Sequence, residues 1–241
     1  MDPYSRTRLL LGQTAMDKLR NASVAIFGLG GVGGYVVEAL ARSGIGKLIL
    51  VDHDTISLTN LNRQILATQT TVGQSKAQVA AQRVQSIDPG ICVQPMQTFF
   101  GPDTAHLFDF SEYDYVVDAI DTVTGKLALI QAAQAAGTPI LSCMGTGNKL
   151  EPTAFRIGDI SETSVCPLAR IMRKECRKRG IDKLTVLYST EMPISPTLPP
   201  EDPMWQELPQ GRNALPGSVS FVPAAAGLII AGHVIRQLAG I

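Results

Sequence analysis

The sequence predicts an α/β protein with a mostly parallel, doubly wound sheet, and two observations carry this prediction. Along residues 24–142, short apolar runs alternate with segments of helical periodicity, a spacing typical of right-handed strand–helix–strand crossovers. The first apolar run enters a turn that contains four glycines, Gly28, Gly30, Gly31 and Gly33, and a helical pattern follows. Such a turn at a helix N-terminus is typical of nucleotide phosphate binding. We therefore expect a Rossmann-like sheet with an appended C-terminal half.

The N-terminal half contains the regular alternation. Its strands are continuous apolar runs, as in a sheet buried on both faces, and are predicted over 24–27, 47–51, 91–95, 114–118 and 139–142. Its helices carry apolar residues at helical spacing and are predicted over 14–21, 32–42, 74–87 and 122–136. The connection over 52–73 is longer than the ~2–6 residues usual between a strand and a helix, which predicts a functional role for it.

The C-terminal half is less regular. Strands are predicted over 153–157 and 184–188, with a helix over 166–179 between them. Seven prolines in the segment 193–216 exclude a regular element and predict an extended loop over the site.

A long apolar run and the absence of linkers set the predicted domain organisation. The run over 221–232 is shorter than the roughly 20 residues that a bilayer requires, so a buried helix is expected. Because the chain has no internal repeat and no linker, one domain is predicted over 1–241. Its nucleotide-binding half is expected over 1–150 and its substrate and dimer half over 151–241.

Composition narrows the functional classes. The 21 Lys and Arg residues balance the 21 Asp and Glu residues, so nucleic-acid binding would require a local patch. The four cysteines form no C-x-x-C pair, which argues against a zinc site or a secreted disulfide framework. Cys92 and Cys143 lie in apolar strand contexts and are expected in the core. Since the N-terminus shows no signal-peptide pattern, we expect a reduced, cytoplasmic protein without a membrane segment.

Polar residues follow the predicted strands where each strand ends. Asp52 closes the second strand and Asp121 follows the fourth, so both are expected beside the glycine turn at one edge of the sheet. The glycines and Asp52 alone also fit a dinucleotide-binding dehydrogenase, because a carboxylate in this place holds ribose hydroxyls in either case.

Asn60, Arg63 and Lys76 favour a different chemistry. Hydride transfer needs no pair of cations near the phosphates, whereas cleavage of the α–β bond of ATP does, because charge develops on the leaving pyrophosphate. Asp121 then fits a magnesium ligand, since Mg²⁺ takes one or two carboxylates together with phosphate oxygens. The alternative, that Arg63 and Lys76 are solvated surface charges, stays open.

These motifs resemble those of the ThiF/MoeB/HesA, ubiquitin-activating-like superfamily of adenylating enzymes. The matching segments are Gly28-Leu-Gly-Gly-Val-Gly33, Asp52 to Arg63, Val72 to Lys76 and Asp118-Ala-Ile-Asp121. The resemblance implies ATP and Mg²⁺ as cofactors, with magnesium at Asp121 and the nucleotide held by Gly28, Gly30, Gly31, Gly33, Asp52, Asn60, Arg63 and Lys76.

The same resemblance implies a homodimer. Members of the superfamily carry an arginine near the N-terminus that reaches into the ATP site of the neighbouring subunit. Tyr4-Ser-Arg6 matches it, which implies that Arg6 acts with Arg63, Lys76 and Asp121 in catalysis; Arg8 is the second candidate.

The second half resembles one branch of the superfamily, the tRNA threonylcarbamoyladenosine dehydratases. The resemblance rests on Gly145 to Thr153, Cys166 to Arg170 and Val186 to Glu191. It implies adenylation of the threonyl carboxylate of a modified adenosine in tRNA, followed by ring closure with net loss of water. Where the branch usually has an acidic residue before Pro167, this chain has Cys166, which we interpret as a substitution rather than a reactive thiol.

Alternative functions stay open from the sequence. The first is activation of the C-terminus of a ubiquitin-like or sulfur-carrier protein, although such members commonly bind zinc through two C-x-x-C pairs that this chain lacks. A nucleotide-binding scaffold without turnover and an NAD-dependent oxidoreductase are the others. The sequence also leaves open a sulfur-relay protein partner.

The helix predicted over 166–179 carries a basic stripe on one face. Its members are Arg170, Arg173, Lys174, Arg177 and Lys178, and the opposite face is predicted to bury Leu168, Ile171, Met172 and Cys176. The stripe fits a solvated surface or a contact with the phosphate backbone of tRNA.

Overall fold

The computed structural model describes residues 2–196, 201 and 216–241. Within these residues, seven strands form one sheet in the order β3-β2-β1-β4-β5-β7-β6. The strands are β1 (Ser23–Phe27), β2 (Lys47–Val51), β3 (Cys92–Met96), β4 (Tyr115–Asp118), β5 (Ile140–Cys143), β6 (Phe155–Asp159) and β7 (Thr185–Ser189). The helices are α1 (Ser5–Leu11), α2 (Gln13–Asn21), α3 (Gly33–Ala41), α4 (Lys76–Ile87), α5 (Val123–Ala135), α6 (Pro167–Lys178) and α7 (Phe221–Ala239).

The sheet confirms the predicted fold class. All neighbouring strands pair in parallel except β6, which pairs antiparallel with β7 at one edge. The connection order reverses between β1 and β4, and such a switch point opens a crevice at the carboxyl ends of the strands. Strands from both predicted halves of the chain share this one sheet.

Helices cover both faces of the sheet. On one face, apolar residues of α2, α3, α4 and α7 pack in one cluster with the sheet. On the other face, α5 and α6 pack over a group of aromatic rings in which Phe27 contacts Phe100, Phe108 and Phe110. The doubly covered sheet explains why its central strands are continuous apolar runs.

The predicted buried helix near the C-terminus is confirmed and extends to Ala239. By length and composition alone, α7 could cross a bilayer. Its Ala226, Ile230 and Val234 are nevertheless buried in the core cluster. A Cβ at Gly227 would lie 2.5 Å from the carbonyl oxygen of Val32, so α7 approaches the start of α3 closely. The helix therefore packs as part of the protein core.

The other predicted boundaries agree with the structure within about two residues. Two further features differ from the sequence analysis, namely one additional helix and the exposure of one cysteine. The sequence did not predict α1, because its Leu9 and Leu10 are 85% and 88% exposed and show no pattern directed at the core. The expectation that Cys92 is buried was wrong: β3 is an edge strand, and Cys92 lies on its exposed side. Most of the proline-rich segment 193–216 lies outside the described residues.

Candidate active site

The glycine turn after β1 brings two backbone segments into close contact. Gly28 has φ +89°, and a Cβ there would lie 2.5 Å from the carbonyl oxygen of Ala119, beyond β4. A Cβ at Gly33 would lie 1.8 Å from the Gly28 carbonyl oxygen. Only glycine fits either position, and the turn delivers the N-terminus of α3 to the crevice, where free N–H groups favour an anion.

A cavity of about 520 Å³ opens at the carboxyl ends of β1, β2 and β4. Most of the predicted nucleotide-site residues line it, namely Gly28, Gly30, Gly31, Asp52, Asn60, Arg63 and Lys76, and so does the predicted metal ligand Asp121. Gly33 packs against the Gly28 carbonyl within the turn and does not line the cavity. The structure thus brings residues from four separate segments to one cavity, where Gly28, Asp52 and Asp121 meet at strand ends as predicted.

Asp52 ties the end of β2 to the glycine turn. One oxygen of its buried carboxylate accepts a hydrogen bond from the N–H of Leu29 at 2.7 Å, and the other accepts one from the N–H of Asp54 at 2.9 Å. Each oxygen keeps a second lone pair for a ligand hydroxyl.

The long connection after β2 positions Asn60 and Arg63. Asn60 closes a short 3₁₀ turn, in which its side-chain oxygen accepts from the N–H of Ser57 at 3.2 Å. Arg63 donates to the Thr59 carbonyl and to the Asn62 side chain, both at 2.9 Å, through a single guanidinium nitrogen. Its remaining N–H groups are available to phosphate oxygens.

Lys76 begins α4 and is buried against an acidic partner. Its Nζ lies 2.8 Å from Asp54 Oδ2, and Asp54 Oδ1 lies 3.1 Å from His53 Nε2. Asp54 holds the lysine at the cavity wall, and sequence reasoning missed it. The available signal was its place two residues after Asp52, at the end of the same strand.

Asp121 is exposed at the cavity edge and forms no hydrogen bond or ion pair with the described residues. An unengaged carboxylate beside a phosphate cradle suits Mg²⁺, which prefers oxygen ligands. The wall also holds two buried atoms without a partner in the described part of the chain, Gln64 Oε1 and Thr122 Oγ1. Such orphaned polar atoms fit a polar ligand such as ATP.

Beneath the cavity lies a buried ion pair that the sequence analysis missed. Lys126 Nζ lies 3.1 Å from Asp118 Oδ2 and donates to the Cys143 carbonyl at 2.7 Å, while Ser142 donates to the same carboxylate. The other Asp118 oxygen accepts from the N–H of Ile120 at 3.1 Å. These contacts fix the loop that carries Asp121. The signal was a lysine within a largely apolar helix.

An apolar wall completes the cavity. It includes Phe99, Phe100 and Ile120, and the ring of His53 packs edge-on against Phe99 with centroids 4.9 Å apart. A flat base can pack on such a surface. Sequence patterns did not predict this wall, because Phe99 and Phe100 lie in an irregular segment after β3.

The predicted basic stripe on α6 is only partly free. Arg170, Lys174 and Arg177 are exposed and make no side-chain contacts of opposite charge with the described residues. Arg173 is half-buried and donates to the carbonyl and hydroxyl oxygens of Thr163. Lys178 lies 2.7 Å from Glu175.

The opposite face of α6 corrects one expectation. Met172 and Cys176 are buried and Leu168 is half-buried, as predicted. Ile171 is 47% exposed, because it lies well away around the helix from the face centred on Ala169, Met172 and Cys176.

Two buried cysteines, Cys143 and Cys166, line a second cavity beside the nucleotide cavity. Burial raises the pKa of the Cys143 thiol to about 12, so it stays protonated at neutral pH. Cys166 is buried before α6 and borders the same cavity. Neither environment resembles that of an exposed nucleophilic thiolate.

Arg6 lies on exposed α1 and does not line the nucleotide cavity of its own chain. Among the predicted catalytic residues, it alone stands apart from Arg63, Lys76 and Asp121.

A model of the ThiF family matches residues 4–241. The chain belongs to the ThiF family. This membership confirms the resemblance to the ThiF/MoeB/HesA superfamily that the sequence motifs indicated. This ThiF-family chain is 40% identical over 238 residues to the tRNA threonylcarbamoyladenosine dehydratase of Bacillus subtilis. The aligned residues cover 98% of this chain and 94% of that protein.

Solved structures show the same likeness. The E. coli tRNA N6-threonylcarbamoyladenosine dehydratase, TcdA, in complex with ATP is similar with a TM-score of 0.87 and 31% identity, over 98% of this chain and 93% of the E. coli chain. A sulfur carrier protein adenylyltransferase from Thermus thermophilus is 34% identical over 143 residues, which is 58% of this chain and 52% of that protein. The two kinds of relative thus differ in how much of this ThiF-family chain they match.

Proposed function

We propose that this chain is an ATP-dependent tRNA threonylcarbamoyladenosine dehydratase. It adenylates the threonyl carboxylate of the modified adenosine, which then cyclises with net loss of water. The observation that carries the proposal is the convergence of Arg63, Lys76 and Asp121 on one cavity, in a chain that is similar over nearly its full length to dehydratases.

The cavity supports a specific placement of the nucleotide. The triphosphate lies over the turn at Gly28 to Gly31 and the N-terminus of α3. Asp52 accepts from the ribose hydroxyls, and the base packs against Phe99 and Phe100. Asn60 donates its side-chain amide to the phosphates, since its oxygen is engaged within its own turn. Mg²⁺ held at Asp121 offsets the negative charge of the phosphates when bound.

In the first step, an oxygen of the substrate carboxylate attacks the α-phosphorus and the bond to pyrophosphate breaks. Arg63 and Lys76 stabilise the charge that develops on the departing pyrophosphate. Lys76 is poised for this role because Asp54 holds it at the cavity wall.

In the second step, a nucleophilic atom of the same side chain attacks the activated carbonyl and AMP leaves with the carboxylate oxygen. An intramolecular attack has a large effective concentration and needs no enzyme thioester. The protonated, buried Cys143 is consistent with this route.

We extend the proposal to a cytoplasmic homodimer in which the partner's Arg6 completes each site. The exposed α1, with Arg6 outside its own cavity, supports this arrangement. The free part of the basic stripe on α6, Arg170, Lys174 and Arg177, is proposed to bind the tRNA backbone, with Arg173 and Lys178 contributing less because they already have partners. A sulfur-relay protein partner stays a prediction.

A second candidate is activation of the C-terminus of a carrier protein. The Thermus thermophilus relative favours it, because that adenylyltransferase matches this chain over 143 residues. A carboxylate reaches the same ATP site in both reactions, so the substrate decides between them.

The test uses the purified protein with ATP, Mg²⁺ and tRNA that carries threonylcarbamoyladenosine. We expect a nucleoside lighter by one water in the mass spectrum of the digested tRNA, together with pyrophosphate release. Asp121→Asn should slow both by about 100-fold, whereas the same change at Asp182, an exposed aspartate outside the cavity lining, should not. Pyrophosphate release only with a carrier protein would favour the second candidate, and no turnover with either substrate would overturn both.

A further inference from the structure

A second cavity of about 520 Å³ adjoins the nucleotide cavity. Arg63, Ile120 and Asp121 lie in the walls of both, so the two cavities meet where the α-phosphate chemistry is proposed. The second cavity extends from there toward the loop after β5 and the start of α6. A substrate held in it would meet the nucleotide at these shared residues.

Lys149 lies in the wall of this second cavity and is only 4% exposed. Its Nζ donates to the carbonyl oxygen of Gly147 at 3.2 Å, and no carboxylate of the described residues pairs with it. The other two buried lysines, Lys76 and Lys126, each contact an aspartate. Because burying an ammonium group without a counter-charge is costly, Lys149 provides a place for an anion.

The backbone before Lys149 is held in an uncommon conformation by contacts from two distant segments. Asn148 has φ +59°, in the left-handed region. Its N–H donates to the Gly217 carbonyl at 2.7 Å, its side chain accepts from the Gly217 N–H at 2.6 Å, and its carbonyl accepts from the Ile194 N–H at 2.8 Å. These three hydrogen bonds fix the position of Lys149.

The remainder of the cavity wall is mostly apolar. Met144, Leu168, Pro193 and Pro216 contribute to it. Such a surface, with one buried cation besides the charged residues Arg63 and Asp121 that it shares with the nucleotide cavity, suits a ligand with a flat or apolar body and a negatively charged end. The volume is in the range of small-ligand sites.

We propose that this cavity is the acyl-substrate site, in which Lys149 binds the carboxylate of the nucleoside side chain; the inference rests on the proposed function. Lys149 donates to one carboxylate oxygen while the other attacks the α-phosphorus of ATP and pyrophosphate leaves. The apolar residues of the second cavity, Met144, Leu168, Pro193 and Pro216, hold the tRNA base that bears the side chain. Lys149 thus sets which end of the substrate reaches the nucleotide.

The test compares Lys149→Met, which keeps the length of the side chain, with Lys183→Met, an exposed lysine outside both cavities. With saturating ATP, Lys149→Met should lower kcat/KM for dehydration of the modified tRNA by about 10- to 100-fold, while ATP affinity and thermal unfolding stay unchanged. Lys183→Met should match the unaltered protein. Equal kcat/KM in the Lys149→Met variant and the unaltered protein would overturn the inference.

A second readout separates a binding role from a structural one. Without ATP, the unaltered protein should bind a tRNA stem-loop with the carboxylate side chain about ten times more tightly than one with the matching carboxamide. Lys149→Met should bind both equally. If this variant loses ATP binding, Lys149→Gln, which keeps N–H donors without the charge, is measured in the same way. No preference in the unaltered protein would overturn the inference alone, whereas no dehydration by that protein would overturn the proposed function and this inference with it.

Discussion

The three buried lysines show how one residue type takes different roles from its surroundings. Lys126 is fully enclosed by Asp118, Ser142 and the Cys143 carbonyl, so it supports a loop and is closed to ligands. Lys76 has a carboxylate partner but faces the cavity, where phosphate oxygens can compete with Asp54. Lys149 has only a backbone partner among the described residues. Whether a buried lysine has a carboxylate partner, and whether it faces a cavity, therefore distinguishes the three roles.

Another single-residue contact anchors the N-terminus to the body of the protein. The Tyr4 hydroxyl donates to Asp88 at 2.6 Å, where α4 ends, and this hydrogen bond holds the pKa of the Asp88 carboxyl below its usual 3.8. The folded protein thus favours the charged form of Asp88. The stability from this contact is present above pH 3.8 and is lost as the pH falls through the lowered folded-state pKa.

Tyr4→Phe should therefore lower the free energy of unfolding by about 0.5–1.5 kcal/mol at neutral pH. The difference from the unaltered protein should shrink as the pH falls below the pKa of the folded-state carboxyl, because protonated Asp88 gains less from the contact. Urea unfolding across this acidic range measures it.

Tyr113→Phe is the matched control, since the half-buried Tyr113 makes no side-chain hydrogen bond with the described residues. It should change the free energy of unfolding by less than about 0.5 kcal/mol. A loss in Tyr4→Phe that does not vary with pH would contradict the assigned role of Asp88.

Among the helices and strands, α6 carries basic residues in two different environments, one with a partner on the protein and one open to solvent. Arg173 is half-buried and donates to two oxygens of Thr163, which links the helix to the segment that precedes it. Arg170, Lys174 and Arg177 share the exposed side at helical spacing. A locally positive face on a chain with balanced charge is the electrostatic pattern expected for contacts with an RNA backbone.

Replacing Arg170, Lys174 and Arg177 together by Gln should weaken tRNA binding and flatten its dependence on salt, by up to about 0.9 in slope per charge removed. ATP affinity should not change, because the nucleotide cavity is untouched. The measurement is a titration of tRNA at several salt concentrations.

A control variant carries Gln at Lys18, Arg20 and Arg236, which are exposed on helices that cover the opposite face of the sheet and form no ion pair with the described residues. It removes the same charge and should keep the original slope. If both variants lose tRNA affinity equally, only net charge matters and the α6 site is not supported.

At the scale of the whole molecule, one chain presents an incomplete set of the predicted catalytic residues. Arg63, Lys76 and Asp121 line its cavity, whereas Arg6 lies elsewhere on α1. The adjacent Leu9 and Leu10 are almost fully exposed, as expected for a surface that a second copy covers. These features support sites shared between two subunits.

Arg6→Ala and Asp121→Ala should each be inactive, and mixing them under conditions of subunit exchange should restore about a quarter of the unaltered activity. Half of the dimers are then mixed, and each has one site with an intact Asp121 and an intact Arg6 from the partner. Pyrophosphate release in the presence of modified tRNA measures the recovery.

The control mixes Arg6→Ala with a chain that carries both substitutions, which provides no complete site. Differently tagged subunits that co-purify demonstrate the exchange. Absence of recovery after proven exchange would show that Arg6 does not act across the dimer.

Local sequence patterns were sufficient to predict the sheet and the location of the nucleotide cavity. Apolar runs and glycine positions are local signals, and the rule that ligands bind at the carboxyl ends of parallel strands placed Gly28, Asp52 and Asp121 together. The family motifs then predicted Asn60, Arg63 and Lys76 at the same edge. The first placement needed only short-range pattern and the topology that it implies, whereas the placement of Asn60, Arg63 and Lys76 came from the resemblance to the family.

The pairing of the buried polar groups could not be predicted from the sequence and became visible in the folded chain. Lys126 in α5 contacts Asp118 in β4, which also binds Ser142 in β5, and Asn148 binds Gly217, 69 positions further along the chain. No local sequence pattern predicts either contact. Cys92 is exposed because β3 lies at the edge of the sheet, which is a property of strand order. The physical reason is common to all three, since burial and pairing depend on neighbours that folding brings together from distant parts of the chain.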